Sequence, residues 1–126
     1  MSPRIVVADD DPDLLRLVSF TLQRRGHTVF EASAGDAALD LIRRELPNLA
    51  VLDVAMPEMT GLEVAQALSK DAQTSKIPII MLSARGQATD VEAGRQSGAT
   101  LYMVKPFVPQ ELALQVTQIL SMGDPS

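Results

Sequence analysis

The chain has 126 residues and a mass of 13.6 kDa, enough for one domain with a buried core and too little for two. Its 46% hydrophobic and 21% charged residues are those of a folded soluble globule, and the lack of cysteine excludes a disulfide framework or thiolate metal site, which suits the cytoplasm. A net charge of -5, 3% aromatics and no tryptophan argue against direct nucleic-acid binding, and no window approaches the ~20 apolar residues of a membrane span.

The first apolar run, RIVVA at 4–8, predicts a strand that ends in Asp9, Asp10 and Asp11. Carboxylates this close repel by about 4 kcal/mol per pair at roughly 4 Å and an effective dielectric near 20, so each needs a cation or a local bonding role. Asp11 has such a role as N-cap of a helix with Pro12 in its first turn and an apolar stripe of Leu14, Leu15, Val18 and Leu22. Gly26 stops that helix, and His27, in the turn beyond, has no companion ligand and no assigned role. TVFEA at 28–32 and LAVLD at 49–53 predict the second and third strands, the third ending in Asp53. Thr60-Gly61-Leu62-Glu63 reads as a capping box opening a helix at about Gly61.

IPIIML at 77–82 predicts the fourth strand, followed by Ser83, and TLYMV at 100–104 the fifth, followed by Lys105 and Pro106. Between them, residues 86–98 should hold the fourth helix, but they offer few large apolar side chains and include Gly94, which costs roughly 1 kcal/mol relative to alanine. That helix is predicted to be marginal and the first to reorganise in a switch; unchanged amide exchange there while another helix responds would refute this. Leu112, Val116, Ile119 and Leu120 mark the last helix, stopped by Gly123, so residues 1–122 form the domain and 123–126 a tail or the start of a linker. Met56, Met59, Met81 and Met103 read as core or loop filler.

Strand and helix alternate throughout, which implies right-handed βαβ units and a three-layer, doubly wound α/β fold with helices on both faces of a five-stranded parallel sheet. The first, third and fourth strands are almost continuously apolar and fit the centre, while the second and fifth are mixed and fit the edges. Ligands of such sheets bind beyond the carboxyl ends of the strands, which here present Asp9, Asp10, Asp53, Ser83 and Lys105. Singly, a strand-end aspartate is commonly a cap, Ser83 could cap a helix, Lys105 could be a solvated end, and Tyr102 could be ordinary edge packing. Together they supply a carboxylate nucleophile, an acidic nest for a divalent cation, a hydroxyl donor and a lysine charge, the parts that phosphoryl transfer needs. A nucleotide site is disfavoured, because the first strand runs into DDDP rather than a glycine-rich loop.

Over nearly its full length the chain resembles the receiver domain of bacterial two-component response regulators, through VVADDDP, LAVLDVAMPEMTGLE, IIMLSARG and GATLYMVKPF in that order. The resemblance implies a flavodoxin-like strand order 2-1-3-4-5 and five helices. It implies that Asp53 accepts a phosphoryl group from the phosphohistidine of a sensor kinase or phosphotransfer protein, or from a small phosphodonor. Asp9, Asp10, Asp53 and the Ala55 backbone carbonyl would hold magnesium, with manganese as an alternative. Ser83 and Lys105 would bond phosphoryl oxygens, and Tyr102 would turn inward with Ser83, shifting the face of the fourth helix, fifth strand and fifth helix toward an output domain or partner. Lys105-Pro106 would be cis.

Ala55 and Ala84 are small and apolar, so neither orients a hydrolytic water, and the phosphoryl lifetime stays open. Thr100, Leu101 and Gln115 replace charged residues typical of relatives fused to winged-helix domains, which argues against their charge-paired dimer and leaves a monomer or a weak phosphorylation-linked dimer. Two other readings compete: a receiver-like interaction domain that is never phosphorylated, and a haloacid-dehalogenase-like phosphatase, which wants a second acid where this chain has Ala55.

Overall fold

A computed structural model of the protein describes residues 2–84 and 99–122. The helix predicted within 86–98, the stop at Gly123 and the tail to Ser126 lie outside the described residues. The elements are β1 (Arg4–Ala8), α1 (Pro12–Arg24), β2 (Thr28–Ala32), α2 (Gly35–Glu45), β3 (Leu49–Asp53), α3 (Gly61–Ser69), β4 (Ile79–Ala84), β5 (Leu101–Lys105) and α4 (Pro109–Met122), the last being the fifth helix of the sequence-based expectation.

All strand pairings are parallel and the order is β2-β1-β3-β4-β5, so the two mixed strands are the edges. This is the doubly wound, flavodoxin-like architecture. Because side chains alternate across a strand, each central strand feeds two cores. Val6, Ala8, Ala50, Leu52 and Met81 pack against α2 and α3, while Ile5, Val7, Val51, Ile80 and Leu82 pack against α1 and α4. The apolar stripe of α1 buries Leu15, Val18 and Leu22, with Leu14 partly buried at its margin.

Helix starts follow the local chemistry. Asp11 Oδ1 accepts from the Asp13 and Leu14 amides at 3.0 and 3.4 Å, and Pro12 opens α1. Thr60 and Glu63 close the capping box reciprocally, at 3.1 and 2.9 Å. The chain leaves α1 through Gly26 at φ 93, and leaves α2 through Leu46 at φ 45, a left-handed leucine that nothing in the residue pattern announced.

Two strands are shifted along the chain from expectation. β4 begins at Ile79 rather than Ile77 and continues through Ser83 to Ala84, since Pro78 has no amide to donate and Ser83 and Ala84 pair with Val104 and Lys105. β5 begins after Thr100, whose amide and hydroxyl are both bonded to the backbone of Ile79.

Candidate functional site

The carboxyl ends of β1, β3 and β5 converge on one acidic cluster. Asp9 follows β1, 1% exposed, and its amide donates to the Ala32 carbonyl at the end of β2 at 3.1 Å. Asp53 is the last residue of β3, 4% exposed. Asp10 is exposed, and one carboxylate oxygen from each of Asp9, Asp10 and Asp53 lies within 4.8 Å of the others. Lys105 Nζ sits 2.9 Å from Asp9 Oδ2 and 3.3 Å from Asp53 Oδ1, so one ammonium faces two buried carboxylates.

That arrangement leaves the cluster with more negative charge than it neutralises. Burial, then the Asp9 charge, pushes the Asp53 carboxyl up to about 7 against the opposing pull of Lys105. Burial works to lower the Lys105 pKa, but its bond to Asp9 and the charges of Asp53 and Asp9 outweigh that and raise it, so the ammonium is held charged. The donor set is all oxygen and carries excess negative charge, and it fits a hard divalent cation such as magnesium, which is typically held by one or two carboxylates plus phosphate.

The loops behind the two buried acids differ in how they are fixed. Asp9 Oδ1 accepts from the Asp11 amide at 2.9 Å, and Asp11 in turn caps α1. After Asp53, the Ala55 amide donates to Asp53 Oδ1 at 3.4 Å, and the Pro57 carbonyl accepts from both the Met59 amide, at 2.8 Å, and the Gly35 amide of α2, at 3.1 Å. The Gly61 amide donates to the Val54 carbonyl at 2.9 Å, and a Cβ on Gly61 would overlap the Asp53 carbonyl oxygen.

Ser83 is buried on β4, one step beyond Leu82, the register partner of Asp53, and its hydroxyl donates to the Ala84 carbonyl at 3.2 Å. Tyr102 is half-buried on β5 opposite Met81, packed against the core that carries α2 and α3. The Lys105-Pro106 bond is cis. Asp9, Asp10, Asp53 and Lys105 are thus brought into one cluster, with Ser83 on the adjoining strand and Tyr102 further down β5. Two features went unread in the sequence: the pairing of Lys105 with Asp9, and the tie from Gly35 to the loop after Asp53. Both link residues far apart in the chain, and no short-range pattern carries them.

A family model for the response regulator receiver domain matches residues 5–117. The chain is 41% identical over 121 residues to the protein described as "Probable transcriptional regulator ycf27" of Porphyra purpurea, covering 96% of this chain and 49% of that one. It is 39% identical over 124 residues to the alkaline phosphatase synthesis transcriptional regulatory protein PhoP of Bacillus subtilis, covering 98% and 51%. The chain therefore spans about half the length of these curated relatives. Among solved structures, the chemotaxis response regulator CheY4 of Vibrio cholerae superposes with a TM-score of 0.86 at 32% identity, over 95% of this chain and 99% of that one.

Proposed function

The chain belongs to the response regulator receiver domain family, and from that membership we propose that Asp53 is its phosphoacceptor. The observation that carries this reading is the cluster itself: a buried strand-end carboxylate within 3.3 Å of a lysine ammonium and grouped with two further carboxylates. The donor is the phosphohistidine of a sensor histidine kinase or phosphotransfer protein, or a small phosphodonor. A carboxylate oxygen of Asp53 forms the new P–O bond as the P–N bond to the donor imidazole breaks, and the imidazole nitrogen leaves with that electron pair. Asp53 must be ionised to attack; burial and the Asp9 charge oppose that form, and Lys105 and a bound divalent cation would favour it.

Lys105 stays charged in this range and would turn from the Asp53 carboxylate to a phosphoryl oxygen as charge moves outward. Asp9, Asp10, Asp53 and the Ala55 carbonyl would hold magnesium or manganese, which when bound supplies positive charge to the phosphoryl oxygens. The Ser83 hydroxyl would exchange its bond to Ala84 for one to a phosphoryl oxygen, and Tyr102 would move inward behind it. The change would be read on the face of β5 and α4 together with residues 86–98, by an output domain or partner protein. The protein is then a signalling module whose chemistry acts on itself, monomeric or weakly dimeric when phosphorylated, working in the cytoplasm without binding nucleic acid directly. Residues 1–122 form the receiver and 123–126 a tail or the start of a linker. No helix of the described residues is long and apolar enough to cross a membrane.

Intact-mass analysis after incubation with acetyl phosphate, with and without magnesium, tests this on the native chain and on Asp53→Asn. One magnesium-dependent phosphate, absent from the variant, is expected. No adduct on the native chain, together with no beryllofluoride complex, would leave an interaction domain that works without phosphorylation. The phosphatase reading has no observation in its favour, since Ala55 stands where its second acid belongs.

A further inference from the structure

We propose that the β2–α2 connection, Ala32 to Gly35, is a brace that sets the spacing of the two halves of the acidic cluster, with Gly35 as a positioning residue for the cation site. This rests on the reading of that cluster as a magnesium site. The connection touches both halves through main-chain bonds. At one end, the Ala32 carbonyl accepts from the amide of Asp9, at 3.1 Å. At the other, the Gly35 amide donates to the Pro57 carbonyl, also at 3.1 Å, in the loop that carries Ala55. Only two residues, Ser33 and Ala34, separate the two contacts, so a shift at one end cannot be absorbed by slack before the other.

The contact at Gly35 has no room to relax. A Cβ there would overlap the Met59 carbonyl oxygen and crowd the Met59 carbonyl carbon and Cβ, at 2.6 and 2.7 Å. The overlap is with backbone, so no side-chain rotation relieves it. α2 also lacks a side-chain cap, its N-cap being Ala34, and the Pro57 carbonyl takes an orphan amide of its first turn. The helix start and the loop after Asp53 therefore complete each other: α2 fixes the Pro57 carbonyl, and that carbonyl, which also closes the three-residue turn to Met59, fixes the loop. Groups one layer behind metal ligands, held this way, commonly govern metal affinity.

The test compares Gly35→Ala with Gly26→Ala. Gly26 lies at φ 93 with nothing within 4 Å of a Cβ, so its substitution strains the fold in a turn outside the brace. Magnesium affinity is measured by calorimetry and thermal stability on both variants. Gly35→Ala is expected to weaken magnesium about tenfold or more, while Gly26→Ala loses stability and binds magnesium as the native chain does. Equal affinities in all three proteins overturn the proposal, and so do equal losses in the two variants, which would mark a general effect of destabilisation. Should Gly35→Ala fail to fold, hydrogen exchange of the Gly35 amide in the native chain decides: coupling between brace and cation is mutual, so saturating magnesium should slow that exchange, and an unchanged rate overturns the proposal. If the native chain binds no magnesium yet takes a phosphate at Asp53, the brace falls while the phosphoacceptor stands; if it does neither, both fall.

Discussion

Asp9 and Asp53 share one acidic cluster, yet the loops behind them are built on opposite plans. Behind Asp9 the side-chain bonds are short-range: the Asp11 amide donates to Asp9, and Asp11 caps the helix that begins one residue later, while the Asp9 amide is tied to Ala32 of β2. Behind Asp53 the loop turns sharply about Glu58, at φ 71, and takes its hold from Gly35 of α2 and Gly61 of α3. The first loop draws its side-chain bonds from its own residues and one backbone tie from β2; the second is tied to the starts of two helices.

The largest expected effect comes from removing the ammonium that pairs with both buried acids. Lys105→Met leaves Asp9 and Asp53 facing each other in a buried setting without their shared ammonium. Breaking such a group by deleting one partner should cost about 3 kcal/mol at pH 8, read as a drop in the urea midpoint at unchanged slope. The Lys105 pKa is raised in the folded state, so its contribution is complete at any pH well below 10 and does not itself fade in this range. The loss should shrink toward pH 5, where Asp53 takes up a proton and the repulsion falls. A loss that stayed constant from pH 8 to 5 would mean that the two loops are coupled by packing rather than charge.

Asp53→Asn should act in the opposite direction. A carboxyl raised from its ordinary 3.8 to about 7 on folding binds a proton more tightly in the native state, so stability falls as pH rises from about 4 through 7. Without divalent cation at pH 8, Asp53→Asn should therefore be more stable than the native chain by about 2 kcal/mol. That is less than the ~4 kcal/mol of three whole pK units, because the amide is desolvated there as well. The gap should narrow steadily toward pH 5. His27, whose pKa is lowered by burial and then by Arg25, titrates in both proteins and cancels in the difference. Magnesium should stabilise the native chain and reduce the gap from the other side.

What could be read from the residues divides along the same line as the two loops. Asp11 as a cap, Pro12 in the first turn and the Thr60–Glu63 box involve partners within three residues, and each stands where the pattern put it. The five strands, and the placing of the mixed ones at the edges, followed from which runs were apolar on both faces. Boundaries slipped where tertiary bonds decide them, as at β4, whose last two residues are strand because β5 lies beside them. The carboxylates and the lysine were legible as a set because strand ends of this fold meet at one rim. Leu46 in the left-handed region and the close approach of Gly35 to Met59 were not, since both depend on where one element lies against another.

The smallest effect tests the strain in the loop after Asp53. Glu58 is exposed at φ 71, and the Met59 amide bonds back to the Pro57 carbonyl at 2.8 Å, so the turn is a three-residue one closed about a side-chain-bearing residue, a rare and strained form. Glu58→Gly removes the Cβ that opposes this φ, a relief of about 1–2 kcal/mol, against about 0.5–1 kcal/mol of extra chain entropy lost on folding. A net gain of about 0.5 kcal/mol in stability is expected, read from denaturant midpoints. Glu58→Ala separates backbone from charge: it removes the same exposed carboxylate but keeps the Cβ, and it should leave stability unchanged. If both variants stabilise equally, the loop after Asp53 is burdened by charge alone, and the turn about Glu58 is held without strain by the helices on either side.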